Sequence, residues 1–175
     1  MDALYFLVDS LLTIAVYAFL LRVLLQLSRA DFRNPLAQAV LALTNWLVMP
    51  LRRILPPAGR FDTASFAALI AVQLAASLIL FRFRTGALFP LVPLLVSALR
   101  SLALSTLLLY TILIFIYAAL SFIAPGARSP ATALLASLCE PLLRPLRRVL
   151  PDIGGIDFSP LVAILGLTAL RILIG

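Results

Sequence analysis

The chain has no histidine, no lysine and a single cysteine, Cys139, among its 175 residues. Without histidine there is no imidazole to serve as a general base near neutral pH, and a Ser- or Cys-based nucleophile has nothing to activate it. With one cysteine, an intrachain disulfide is impossible and a Cys/His metal site is excluded. The C-x-x-C-H run that attaches haem covalently is absent for the same reason. No Gly-rich phosphate loop follows a strand pattern. Cys139 precedes Arg144 at a spacing one residue short of a C-x5-R phosphatase loop, and it lies in an apolar stretch. No enzyme activity, cofactor or metal is expected.

Charge is scarce as well. Charged residues make up 12% of the chain, about half the ~25% of a soluble domain. With hydrophobic residues at 63%, no wetted surface can cover the chain, so the expected solvent is a bilayer. All fourteen basic residues are arginine, against seven acidic ones, for a net charge of +7. In a soluble chain that excess would point to nucleic acid. Here it reads as positive-inside loops meeting anionic lipid headgroups, with no nucleic acid partner.

What is abundant is long apolar sequence. Four stretches are expected to span, at about 4–27, 64–81, 98–123 and 158–174, the last at the short end. The opening MDALYFLVDSLLTIAVYAFLLRVLL has no basic n-region and no small-residue cleavage site, so it reads as a first membrane helix and not as a signal peptide. Two shorter segments, Pro35–Met49 and Pro130–Arg144, are amphipathic. Leu36, Val40, Leu43, Leu47 and Leu51 form one stripe, with Gln38, Asn45 and Arg52 on another side. Ala131, Leu135, Leu138, Leu142 and Leu146 repeat the stripe, with Glu140 and Arg147 on the polar side. Helices lying in the interface are expected, with re-entrant hairpins as the alternative. Gly86, Pro90 and Pro93 argue against one long regular helix through the middle of the chain.

The sequence is duplicated. Residues 34–75 align with 129–170 without a gap at a constant offset of 95. Pro50-Leu51-Arg52-Arg53 matches Pro145-Leu146-Arg147-Arg148, and Asp62 matches Asp157. The expected fold is therefore an all-α membrane protein with four transmembrane helices in two tandem repeats, each with an interfacial amphipathic helix between its spans. The first repeat covers 1–85, an interfacial linker 86–97 and the second repeat 98–175. The loops after the first and third spans hold nine arginines, against three, Arg82, Arg84 and Arg100, in the stretch that joins the second and third spans. This places both repeated motifs in the cytoplasm and both termini outside.

Each motif has local reasons for its residues. Pro50 and Pro145 are expected to end the amphipathic helices. Arg52, Arg53, Arg147 and Arg148 then sit at headgroup depth, each worth ~1 kcal/mol against anionic lipid. Gly59 and Gly154-Gly155 suit turns, and Ser159-Pro160 suits a helix start with Ser159 as N-cap. Asp157 favours that start through the helix dipole and can pair with Arg147 or Arg148, as Asp62 can with Arg52 or Arg53. Together with Glu140, these residues form the candidate site for anionic lipid, an acidic partner segment or a cation between the aspartates. Three polar residues fall inside spans: Asp9, Arg22 and Arg171. Arg22 either snorkels to the headgroups or pairs with an acid from the other half; Asp9 and Arg171 are at depths that would let them pair. Tyr5, Tyr17, Trp46, Tyr110 and Tyr117 suit an aromatic belt or packing contacts.

The run SPATALLASLCEPLLRPLRRVLPDIGGIDFSPLVAIL resembles the signature of the YggT family of small integral membrane proteins. The match rests on Glu140, Pro141, Pro145, Arg147, Arg148, Pro151, Gly154, Gly155, Asp157, Ser159 and Pro160. The first half keeps Asn34, Pro35, Thr44, Asn45, Pro50, Arg52, Arg53, Pro56, Gly59 and Asp62. It departs at Arg60, at Trp46 and in the DTAS that stands for DxSP; the second half departs at Ser129 and Cys139. The resemblance implies a bacterial inner-membrane, multi-pass protein. Relatives are linked to osmotic-stress tolerance and ion uptake, to cell division and nucleoid organisation, and to cytochrome maturation in chloroplasts, with no shared biochemical activity. The expected function is a non-enzymatic one: docking lipid or a partner at the cytoplasmic face, in support of membrane-protein assembly, division or osmotic adaptation, the partner being another membrane protein or further copies of the chain in a homo-oligomer. The alternative is a small transporter or channel subunit for K⁺ or other cations.

Overall fold

A computed structural model of the chain describes residues 2–57, 62–87, 90–123, 126, 129–150 and 157–175. Six helices account for nearly all of them: α1 Asp2–Leu27, α2 Pro35–Ile54, α3 Thr63–Thr85, α4 Leu91–Ile123, α5 Pro130–Val149 and α6 Ser159–Ile174. No strand occurs among the described residues. Three helices, α1, α3 and α4, are long and apolar enough to cross a membrane. The fourth expected span is the 16-residue α6, which reaches about 24 Å against the ~30 Å of a hydrocarbon core.

The chain divides into two compact units, Met1–Leu27 with Ala39–Ala103, and Ser28–Gln38 with Leu104–Gly175. In the first, α1 packs along α3. Val16, Phe19, Leu20, Val23 and Leu24 of α1 are buried, as are Ala64, Ala68, Leu69 and Ala76 of α3. Lipid offers apolar side chains as good a solvent as protein does, so close packing needs small residues, and α3 supplies alanines on its buried face. The two helices run antiparallel: Arg22 bonds Ser65 near one end, and the Arg84 guanidinium lies 4.9 Å from the Tyr5 ring centroid near the other. The Trp46 ring of α2 meets Phe19 edge-on at 6.3 Å.

The second unit is built on Ile114 of α4, Cys139 and Leu143 of α5, and Ala163 and Leu167 of α6, flanked by Tyr110, Tyr117, Leu142 and Leu146. Asn34 caps α2 by accepting from the Leu36 amide at 2.9 Å and donates to the Pro130 carbonyl at 2.6 Å. Ser129 and Thr132 form a reciprocal capping box at the start of α5.

Three local expectations are corrected. Pro50 does not end α2, nor Pro145 α5; Pro50, Pro141 and Pro145 all lie inside helices. Each forfeits one backbone hydrogen bond, a loss that residues packed on both sides of the proline tolerate. The segment 86–97 is not a continuous linker, because α4 begins at Leu91 and takes in Pro93. A proline in the first turn breaks nothing, since the first amides of a helix have no intrahelical partner. The start of α6 is capped by Asp157, whose Oδ1 accepts from the Ser159 amide at 2.9 Å, while Ser159 is the first helical residue. The leucine stripe of α2 is exposed at Leu36 and Leu43, whereas Thr44 and Val48 are fully buried. The equivalent Leu138 of α5 is 1% exposed, in the core. The expectations for Gly59, Arg60, Arg128, Pro151, Gly154 and Gly155 lie outside the described residues.

Candidate functional site

The first unit gathers its polar side chains around Arg22, a residue that is only 3% exposed. Arg22 sits five positions before the end of α1, and α2 and the start of α3 supply oxygens to it. Its Nε donates to Ser65 Oγ at 2.9 Å. Its Nη1 donates to Thr44 Oγ1 at 2.7 Å and to Asn45 Oδ1 at 2.8 Å. The hydrogen-bond partners of this arginine are neutral groups of its own half.

Ser65 relays this cation to a carboxylate, its Oγ donating to Asp62 Oδ2 at 2.7 Å. The same Oδ2 takes the ion pair from Arg52 Nη2, and Asp62 Oδ1 caps α3 through the Ser65 amide at 3.4 Å. One carboxylate thus ties α1, α2 and α3 together. Burial alone would raise the Asp62 carboxyl, but the hydrogen bonds from Arg52 and Ser65 outweigh it and hold it below the usual carboxylate range.

The second unit builds a related cluster from residues ninety-five positions further on. Arg147 Nε donates to Asp157 Oδ2 at 2.7 Å, matching Arg52 and Asp62. Arg147 Nη1 also donates to Glu140 Oε1 at 2.6 Å, and Tyr117 Oη donates to the same oxygen at 3.2 Å. Glu140 stands where the first half has Asn45, Tyr117 where it has Arg22, and Cys139 where it has Thr44. Arg144 reaches Glu140 Oε2 at 3.3 Å with its side chain 74% exposed, a contact worth little in water. Burial opposes ionisation of Glu140 and Asp157. Arg147 overrides it at Glu140, and the Ser159 amide followed by Arg147 overrides it at Asp157, so both carboxyls lie below their usual range. Burial, with Glu140 next to it, pushes the Cys139 thiol up to about 12, so it is no nucleophile at neutral pH.

The two arginines of each pair therefore differ. Arg52 and Arg147 are committed to carboxylates. Arg53 and Arg148 are exposed and form no ion pair among the described residues. Asp9 lies in α1 and Arg171 in the last turn of α6, and neither makes an ion pair among the described residues. No three Cys, Asp or Glu side chains gather as a metal site there either. Sequence reasoning missed the roles of Thr44, Asn45, Ser65 and Tyr117. The available signal was the same offset of 95 carried back from the repeated block to position 22.

Because the three carboxyls titrate lower in the folded protein than in the unfolded chain, the stability they contribute is present above pH ~4 and lost as the pH falls through their depressed values. With no histidine to titrate, thermal melts in detergent should be flat from pH 8 to 5 and fall steeply below about pH 4. A flat profile to pH 3 would contradict these pairings.

The family model described as CCB3/YggT matches residues 1–83 and again 96–175. The Escherichia coli protein named "Uncharacterized protein YggT" is 35% identical over 94% of this chain and 85% of its own. A Pseudomonas aeruginosa protein is 37% identical over 97% of this chain and 86% of its own. The Vibrio alginolyticus "Uncharacterized protein in proC 3'region" is 36% identical over 100% of this chain and 95% of its own. No solved structure matches. With both halves matched by one family model and relatives aligned along nearly its full length, the chain belongs to the CCB3/YggT family.

Proposed function

We propose that this chain is a non-enzymatic multi-pass protein of the bacterial inner membrane. It docks an anionic surface at the cytoplasmic face through Arg53 and Arg148, and so supports membrane-protein assembly, division or osmotic adaptation. The observation that carries the reading is the split within each arginine pair: one guanidinium neutralised at home, the next exposed and without an ion pair among the described residues. A guanidinium without a protein partner is suited to bidentate contact with phosphate or carboxylate. In this reading α1, α3, α4 and the short α6 form four spans in two tandem repeats, α2 and α5 lie in the interface, and both termini are outside.

The test is complementation of a deletion strain. The double variant R53Q/R148Q should insert normally and fail to complement, while R29Q/R33Q, elsewhere on the same expected face, should complement. Full activity of R53Q/R148Q would sink the proposal. The rival reading, a cation transporter or channel subunit, draws on the convergence of Arg22, Thr44, Asn45 and Ser65. Those groups spend their hydrogen bonds on one another and leave a fixed positive charge, a poor lining for a cation path. Saturable Rb⁺ flux in proteoliposomes would reverse that preference.

A further inference from the structure

The two clusters carry opposite charge on the same framework. In the first, Arg22 and Arg52 share the single carboxylate of Asp62. In the second, the carboxylates of Glu140 and Asp157 share Arg147. The first is left with one cation in excess and the second with one anion in excess, which exposed Arg144 partly offsets. The difference comes from two positions: Arg22 against Tyr117, and Asn45 against Glu140.

An excess cation inside a membrane protein is costly unless an anion completes it. The first unit has no spare acid nearby. Apart from Asp62 it holds only Asp2 and Asp9, and Asp9 is thirteen residues up α1 from Arg22, about 20 Å away. Arg22 itself is sealed, but it is linked through Ser65 and Asp62 to Arg52, whose side chain is half exposed. In this low-dielectric setting the field of the buried cation is weakly screened. The surroundings indicate where the anion comes from. On α2 the exposed neighbours of Arg52 and Arg53 are apolar: Trp46, Met49 and Ile54. Basic and apolar side chains interleaved on one exposed helix fit the boundary between headgroups and acyl chains, not a soluble acidic peptide.

We infer that the first cluster is an anionic-lipid site: the phosphodiester of a phosphatidylglycerol-type headgroup binds at Arg53, beside the Arg52–Asp62 pair, and offsets the excess cation of Arg22, while the second cluster, where Glu140 leaves an anion in excess, takes no such lipid. This rests on the docking reading above and assigns its lipid to one of the two motifs.

The experiment is native mass spectrometry of the purified protein titrated with phosphatidylglycerol, with phosphatidylcholine as the neutral reference. N45D is nearly isosteric and supplies in place the carboxylate that the second half has at Glu140. It should lower affinity for the tightest-bound phosphatidylglycerol about tenfold, with N45Q near wild type. E140Q removes the second half's excess acid and should add one further retained lipid, which keeps the idea testable if N45D folds poorly. Unchanged binding in both N45D and E140Q, with R53Q losing lipid, would overturn this inference and spare the docking proposal. Wild type with no preference for phosphatidylglycerol would overturn both. Displacement of the lipid by millimolar inorganic phosphate would overturn the headgroup assignment in favour of a free-anion site.

Discussion

Replacing Asp62 by alanine should cost the protein about 2–4 kcal/mol, among the largest effects of any single surface-adjacent change. The carboxylate is 10% exposed and is the sole anion shared by Arg22 and Arg52. Its loss leaves two like charges without a counter-ion, removes the acceptor of the Ser65 hydroxyl and uncaps α3. The upper bound is set below the ~5 kcal/mol of a fully buried pair because half of the Arg52 side chain meets solvent. Asp62→Asn should cost less, since its amide oxygen still accepts from Ser65. In D62A/R52Q part of the loss should be recovered, because one of the two stranded cations is gone; a double-mutant cycle by thermal melting measures this coupling. Additive effects of the two changes would show that the pair carries no coupling energy.

Arg147→Gln should be the most damaging change in the second unit, at about 2–3 kcal/mol. Arg147 bridges Glu140 and Asp157 and, with the Ser159 amide at Asp157, keeps both carboxylates ionised. Removing it turns two attractions into one repulsion, and loosens the tie between α5 and the start of α6 that Asp157 makes through the Ser159 amide. R147Q/E140Q should regain stability relative to R147Q, and the melt of R147Q should become less sensitive to acid. The neighbouring R148Q, at an exposed position without an ion pair among the described residues, should stay within about 0.5 kcal/mol of wild type. Equal losses from R147Q and R148Q would refute the distinction between them.

The helices were legible because their signals are strong: unbroken apolar runs for α1, α3 and α4, and two stripes of period 3.6 for α2 and α5. Their ends were harder to read. A proline ends a helix only if the lost hydrogen bond is not outweighed by packing, and that balance at Pro50 and Pro145 is tertiary. Pro93 falls where a helix needs no amide at all, which sequence shows only once the start at Leu91 is known. The candidate carboxylates and arginines were visible from the duplicated motif, but not which arginine pairs. Arg52 and Asp62, like Arg147 and Asp157, are ten residues apart across a turn. Whether the first or the second guanidinium of the pair points back is decided by helix phase. Arg22 was visible as an oddity, yet its partners Thr44, Asn45 and Ser65 are ordinary polar residues that gain meaning only when α2 lies beside α1.

The central claim is a division of labour within each arginine pair, and it is tested most directly by two double variants measured side by side. R52Q/R147Q and R53Q/R148Q would be purified, melted, and assayed for retained phosphatidylglycerol. R52Q/R147Q should melt well below wild type, while R53Q/R148Q should melt within a degree or two of it and lose most of its bound anionic lipid. Indistinguishable melts, or lipid retained in full by R53Q/R148Q, would contradict that claim.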